Sequence, residues 1–194
     1  RQEVVNYREN QNLRPKGDRI LILDDTDGDG KADKSTVFYQ GTDVNSAMGI
    51  AVLGNKVIVT CSPNVIVFTD NDGDDRADTK QYMFTETGRP QADHAAHSFV
   101  FGPDGRLYWN FGNAGKQVAD PRGFIVKDRD GIPITDKGRP YRGGMVFRCE
   151  PDGTKMEVLG HNFRNNYEVA LDSFVTVCHS DNFDDGNEAV RIIY

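Results

Sequence analysis

Nine residues hold four carboxylates at alternate positions: Asp25, Asp27, Asp29 and Asp33, with Lys31 between the last two. Counted from Asp25, the carboxylates stand at positions 1, 3, 5 and 9 and a backbone carbonyl is available from Lys31 at position 7. Hard oxygen ligands at that spacing can wrap one Ca²⁺, and a glycine at position 6, here Gly30, permits the sharp turn. Position 12, where a helix–loop–helix site places a bidentate Glu, is Thr36, so the expectation is a calcium turn between strands. The pattern recurs as Asp70, Asp72, Asp74, Arg76 (through its carbonyl) and Asp78, with Asp75 in the place of Gly30. Solvated Asp-Gly turns closed by Asx hydrogen bonds are the competing reading. Crowded like charges repel without a cation, which favours calcium, in a structural role.

The elements that must hold these loops are legible from an internal repeat. Ile20–Leu23 before the first loop matches Val65–Phe68 before the second, and Val37–Tyr39 after the first matches Tyr82–Phe84 after the second, all at an offset of 45. A period of about 40–50 residues built of short apolar runs is the signature of a propeller blade. Runs at 20–23, 36–39, 48–53 and 56–60 make one cycle, and runs at 65–68, 81–84, 98–102 and 106–111 the next. Residues 143–160 and 167–182 carry a third, and a further strand begins near Ala189. The expected fold is all-β: one partial β-propeller domain over 1–194, about four blades of a larger, six-bladed propeller. Its calcium-turn blades span 20–111 and its further blades 143–194. Between them, 112–142 is rich in Gly, Pro and charge and reads as a long excursion, of the kind that more often carries function than core.

The formal net charge of −7 and pI near 5.1 argue against nucleic acid as a partner, because that role needs clustered Lys and Arg. Cys61, Cys149 and Cys178 lie far apart and make neither a C-x-x-C pair nor a C-x-x-C-H haem attachment. They read as strand thiols. No apolar run approaches the roughly 18 residues that span a bilayer.

The stretches GDRILILDDTDGDGKADKSTVF (17–38), GPDGRLYWNFG (102–112) and SDNFDDGNEAVRI (180–192) resemble the N-terminal propeller of the membrane-bound dehydrogenases of planctomycetes and verrucomicrobia. That propeller is in turn similar to soluble quinoprotein glucose and sorbosone dehydrogenases. The resemblance implies an exported protein, periplasmic or attached to the outer side of a membrane, with Ca²⁺ and pyrroloquinoline quinone as cofactors. A sugar or alcohol would be its substrate, and a cytochrome c domain or protein its electron acceptor. Within DHAAHSFVFGPDGRLYWNFGNAG (93–115), the match places His94 as the base that takes the hydroxyl proton, with His97 nearby and able to exchange roles. In GHNFRNNYEV (160–169), Arg164 and Asn165 match the pair that holds the quinone, although Asn166 stands where the family has Pro. In HSDNFDDGNE (179–188), Ser180 and Asp181 match the loop nearest the catalytic ion, with Asp184 and Asp185 beyond. Phe183 and Cys178 depart from a polar cofactor pocket. A calcium-stabilised propeller that binds a glycan or protein partner is the alternative, and the residues in blades outside this segment would decide between the two.

Overall fold

The computed structural model describes residues 15–90, 92–182 and 190–193, the last four and Asn182 by backbone alone. The described residues form thirteen strands and no helix. The first sheet pairs β1 (Arg19–Asp24) with β2 (Lys34–Gln40), and the second is a four-stranded meander of β3 (Gly49–Leu53), β4 (Lys56–Cys61), β5 (Asn64–Thr69) and β6 (Thr79–Phe84). The third is a second meander, β7 (Ala96–Phe101), β8 (Leu107–Phe111), β9 (Gly144–Cys149) and β10 (Glu157–Phe163); the fourth holds β11 (Val169–Leu171), β12 (Val177–Asn182) and β13 (Val190–Ile193). Every pairing is antiparallel.

The repeat expected from sequence is present, but the sheets divide it elsewhere. The cycle 20–60 is cut in two: its first pair of strands is one sheet, and its last pair opens the next. Periodicity reports the repeat length and not its phase, because each cut leaves the same alternation of strand and turn.

Strand β4 shows why these runs read as continuously apolar. Val57 and Val59 enter one cluster with Ile20, Phe38, Ile66 and Phe68, whereas Ile58, pointing the other way, enters a cluster with Val65, Phe84, Trp109 and Phe147. A strand covered on both faces has no polar positions to alternate with. The larger cluster centres on Trp109, fully buried, with ring centroids of Phe147 at 4.4 Å, Phe84 at 5.3 Å and Phe99 at 5.7 Å.

The excursion between β8 and β9 is ordered and packed. Val118, Ile134 and Tyr141 join the Trp109 cluster, and Thr85 and Ala119 bond reciprocally through their backbones, tying the excursion to the end of β6. It fills space between the second and third sheets. Two of its turns share one design, and the β11–β12 turn repeats it. Asp120, Asp128 and Asp172 each accept from the amides two and four residues on, at 2.8–3.0 Å. The residue three places on has positive φ: Gly123 at 85°, Gly131 at 82° and Val175 at 66°. A β-branched residue pays a steric penalty there that Gly does not, and Val175 offsets it by packing against Tyr108, Val146 and Val169. A Cβ added at Gly131 meets nothing within 4 Å, so Gly131→Val isolates the backbone term. It is expected to destabilise the protein by about 1–2 kcal/mol in chemical denaturation.

Glu157 ties β9 and β10 to the β7–β8 turn and the excursion. Its carboxylate accepts from Arg106 at 2.8 Å, Arg148 at 2.8 Å and Arg129 at 3.0 Å. Arg148 is the largest influence holding this carboxyl below the ordinary Glu value, followed by opposing desolvation and then Arg129. Glu157→Gln strands three guanidinium groups and is expected to cost about 2 kcal/mol, between surface and buried pairs. A folded-state value below the unfolded one stabilises above the ordinary Glu range, and that stabilisation is lost as pH falls through the depressed folded-state value. Denaturation curves of wild type and variant therefore converge in acid.

Candidate functional site

The two acid loops are copies in hydrogen bonding as well as in sequence. Asp25 accepts from the amides of Gly28 at 2.7 Å and Gly30 at 2.8 Å; Asp70 accepts from Gly73 at 2.7 Å and Asp75 at 3.0 Å. Asp75 adopts φ 66°, matching Gly30 at 86°, so the replacement keeps the turn at a conformational cost. The amide of Asp33 bonds back to Asp24 and that of Asp78 to Thr69, each at 2.9 Å, closing the β1–β2 and β5–β6 hairpins. Amide donors, Gly30 foremost for Asp25 and Gly73 for Asp70, hold both carboxyls below the usual carboxylate range.

Carboxylate oxygens of Asp25, Asp27 and Asp29 lie within 4.8 Å of one another, as do those of Asp70, Asp72 and Asp78. Of the expected sets, Asp33 and Asp74 stand outside these groups; Asp33 accepts from Thr26, through the amide at 3.0 Å and the hydroxyl at 2.7 Å, as its counterpart Asp78 accepts from the Asn71 amide at 2.6 Å. Asp29 and Asp74 also accept from the amides of Lys31 and Arg76, at 2.8 and 3.0 Å. Both loops are solvent-facing except at Asp70, which is buried.

A second constellation lies in loops at the other end of the strands. Strand β6 runs six residues from the second acid loop toward the segment carrying His94, which places about 20 Å of strand between them. His94 O accepts from the amides of Ala114 at 3.0 Å and Gly115 at 3.2 Å, and Arg164 O accepts from the amide of Asn113 at 2.6 Å. The Asp181 carboxylate, nearly buried at the end of β12, accepts from the amides of Asn165 at 2.9 Å and Arg164 at 3.1 Å. Four of the residues singled out from sequence, His94, Arg164, Asn165 and Asp181, are thus brought together from segments up to 87 positions apart, counted from 94 to 181. Ser180 neighbours Asp181 on β12, and strand alternation turns it to the opposite face. Asp184 and Asp185 lie outside the described residues.

The two histidines occupy different environments. The His94 ring is half-buried, with Nδ1 2.8 Å from Asn113 Oδ1. A carboxamide oxygen can only accept, so Nδ1 carries the proton, and in the neutral ring Nε2 keeps its lone pair. His97 is fully enclosed, with Nδ1 3.0 Å from Asn166 O and Nε2 2.7 Å from Asp93 O. It clamps the His94 segment to the 164–168 loop, and neither ring nitrogen is left for a ligand. Asn166, also fully buried, uses a side chain that Pro lacks: its carboxamide donates to Met145 O at 3.3 Å, while its backbone carbonyl, which Pro would also supply, accepts from the Asn110 carboxamide and faces His97.

Sequence reasoning missed Asn113 and Asn110, and read Asn166 only as a departure from Pro. Nothing in local spacing marks them, since their partners lie 19, 56 and 69 positions away. Glycines make the convergence possible: a Cβ at Gly112 would lie 2.6 Å from Asn165 Oδ1 and 2.9 Å from His94 O. The cysteines match their reading as strand thiols. All three are free, Cys61 and Cys149 are buried, and burial pushes the Cys149 thiol up to about 12.

None of the curated proteins matches this chain. Among solved structures, a chain of a nidogen/laminin complex aligns at 14% identity over 86% of this chain and 68% of its own, with a TM-score of 0.40. Residues 2–191 match a family described as a domain of unknown function, DUF7133. By the extent of that match, nearly end to end, the chain belongs to the DUF7133 family.

Proposed function

We propose that the four sheets are consecutive blades of a β-propeller pinned by Ca²⁺ in the two acid loops, and that the face bearing His94 is the site of a quinone-dependent oxidoreductase. The observation that carries this reading is the fixed imidazole. His94 is held by Asn113 with Nε2 available, on loops that Asp181 and His97 lock to Arg164 and Asn165. A base oriented by a third group is the arrangement that general-base catalysis requires.

The donor set fits pyrroloquinoline quinone, which when bound supplies the hydride acceptor. Arg164 offers the planar fork that matches a carboxylate, and the cofactor carries three. Asn165 stands beside it, and Asp181 fixes the backbone of both. His94 Nε2 would receive the hydroxyl proton of a sugar or alcohol. The acid loops fit calcium because three carboxylates in each converge to within 4.8 Å of one another, and their distance from His94 makes the ions structural rather than catalytic. An exported protein that delivers electrons to a cytochrome c domain or protein completes the proposal.

The test is turnover of a panel of sugars and alcohols by the holoprotein, prepared with quinone and Ca²⁺ and assayed with an artificial electron acceptor. Quinone-dependent turnover of at least one substrate is expected. No turnover across the panel, with calcium binding intact, would leave a calcium-pinned propeller that binds a glycan or protein partner as the better account.

A further inference from the structure

A cavity of about 370 Å³ lies between the third and fourth sheets and shares no residue with the site proposed around His94. Val146, Leu159, Phe163 and Val177 supply apolar walls, and Arg148 and His179 are the charged and titratable members of the lining. Val177 and His179 stand two apart on β12 and so share a face, the one that packs toward Tyr108 and Val146 of the third sheet. Pockets that enclose small molecules begin near about 300 Å³, so this one has room for a ring with a short chain.

Arg148 is already committed. Its guanidinium donates to the Glu157 carboxylate at 2.8 Å and lies over the Tyr108 ring, 6.0 Å from the centroid. No bare cation therefore calls for an anion here. His179 is the uncommitted group. The residue is 7% exposed, its ring meets that of Phe163 edge-on with centroids 4.3 Å apart, and its polar contact is Nδ1 to Ser180 O at 3.4 Å. A carbonyl oxygen can only accept, so the proton belongs on Nδ1 and Nε2 of the neutral ring keeps a lone pair. Nε2 makes no hydrogen bond among the described residues. An acceptor buried without a donor is unfavourable, and a donor arriving through the cavity relieves it. A single water would find few further partners on walls of Val, Leu and Phe, whereas a molecule with one donor hydroxyl and an apolar body satisfies both the walls and the ring.

We propose that this cavity binds a small uncharged phenol, with its hydroxyl donating to His179 Nε2 and its ring against Phe163 and the aliphatic wall. An aromatic body is favoured because Phe163 offers a ring to pack on and the Arg148 guanidinium a flat cationic group. The inference rests on the cavity and on His179, and is independent of the chemistry proposed for His94.

The test is calorimetric titration of the protein with para-propylphenol, propylbenzene and para-propylbenzoate, with nitrogen NMR of histidine-labelled protein alongside. The phenol is expected to saturate a single site and to bind about tenfold more tightly than either analogue, the magnitude of one hydrogen bond. It alone should shift the Nε2 resonance of His179. His179→Phe keeps a ring against Phe163 and removes the acceptor; it should abolish the preference for the phenol while leaving propylbenzene bound as before. Val177→Phe fills the cavity and should weaken both ligands, with circular dichroism confirming the fold of each variant. Absence of saturable phenol binding, or equal binding of propylbenzene by the wild type, would overturn the proposal. So would preference for the benzoate, which would make Arg148 an anion site, or phenol binding that both variants leave unchanged.

Discussion

Removing calcium with EGTA is expected to lower the midpoint of thermal unfolding by about 15 °C. An ion present at about 100 times its dissociation constant stabilises by about 2.7 kcal/mol per site. Two sites give about 5 kcal/mol, and each kcal/mol shifts the midpoint by about 2–4 °C in a domain of this size. Asp27→Ala and Asp72→Ala should each abolish one bound ion in elemental analysis and each reproduce part of the shift. The loss is larger for Asp27, because the second loop already spends stability in holding Asp75 at positive φ. Asp25 and Asp70 are held below the ordinary carboxylate range by amide donors. Their stabilisation is therefore present above that range and is lost as pH falls through their folded-state values, so the chelator effect fades in acid. An unchanged midpoint in EGTA at neutral pH would refute calcium in these loops.

On the proposed function, His94→Asn is expected to lower kcat by about 10²–10⁴-fold in the protein loaded with quinone and Ca²⁺, the usual magnitude of general-base assistance. Binding of the quinone, assigned to Arg164 and Asn165, should persist in this variant, which separates the base from the cofactor cradle. Activity should also respond to Asn113, whose carboxamide sets the tautomer of His94. His97→Asn tests the competing assignment. Because His97 bridges Asp93 O and Asn166 O inside the protein, its replacement should lower stability and kcat together. Full activity in His94→Asn, with loss confined to kcat in His97→Asn, would move the proton acceptor three residues along.

Much of the strand content was legible because its cause is local. A run such as Lys56–Cys61, short, rich in β-branched residues and bounded by turns, reads as a strand covered on both faces, and the acid loops announce tight turns by spacing alone. Sheet boundaries were not legible, since a cut after Gln40 and one after Cys61 leave the same periodic pattern. The packing of 112–142 was not legible for a related reason. Its Gly, Pro and Asp residues encode repeated tight turns, while the few apolar side chains that matter, Val118, Ile134 and Tyr141, are spaced too widely to look like core. The distinction between His94 and His97 was likewise inaccessible. Both lie in one short apolar-polar stretch, and only the fold brings Asn113 to the first and Asn166 to the second.

The most direct measurement of the central claim is a titration of the metal-loaded protein with pyrroloquinoline quinone, followed by absorbance and calorimetry, for wild type and Arg164→Ala. The account predicts saturable binding of one quinone per chain in the wild type. It predicts affinity weakened by at least tenfold in Arg164→Ala and unchanged within twofold in His94→Asn. Absence of saturable binding by the calcium-loaded wild-type protein, or binding indifferent to Arg164, would contradict it.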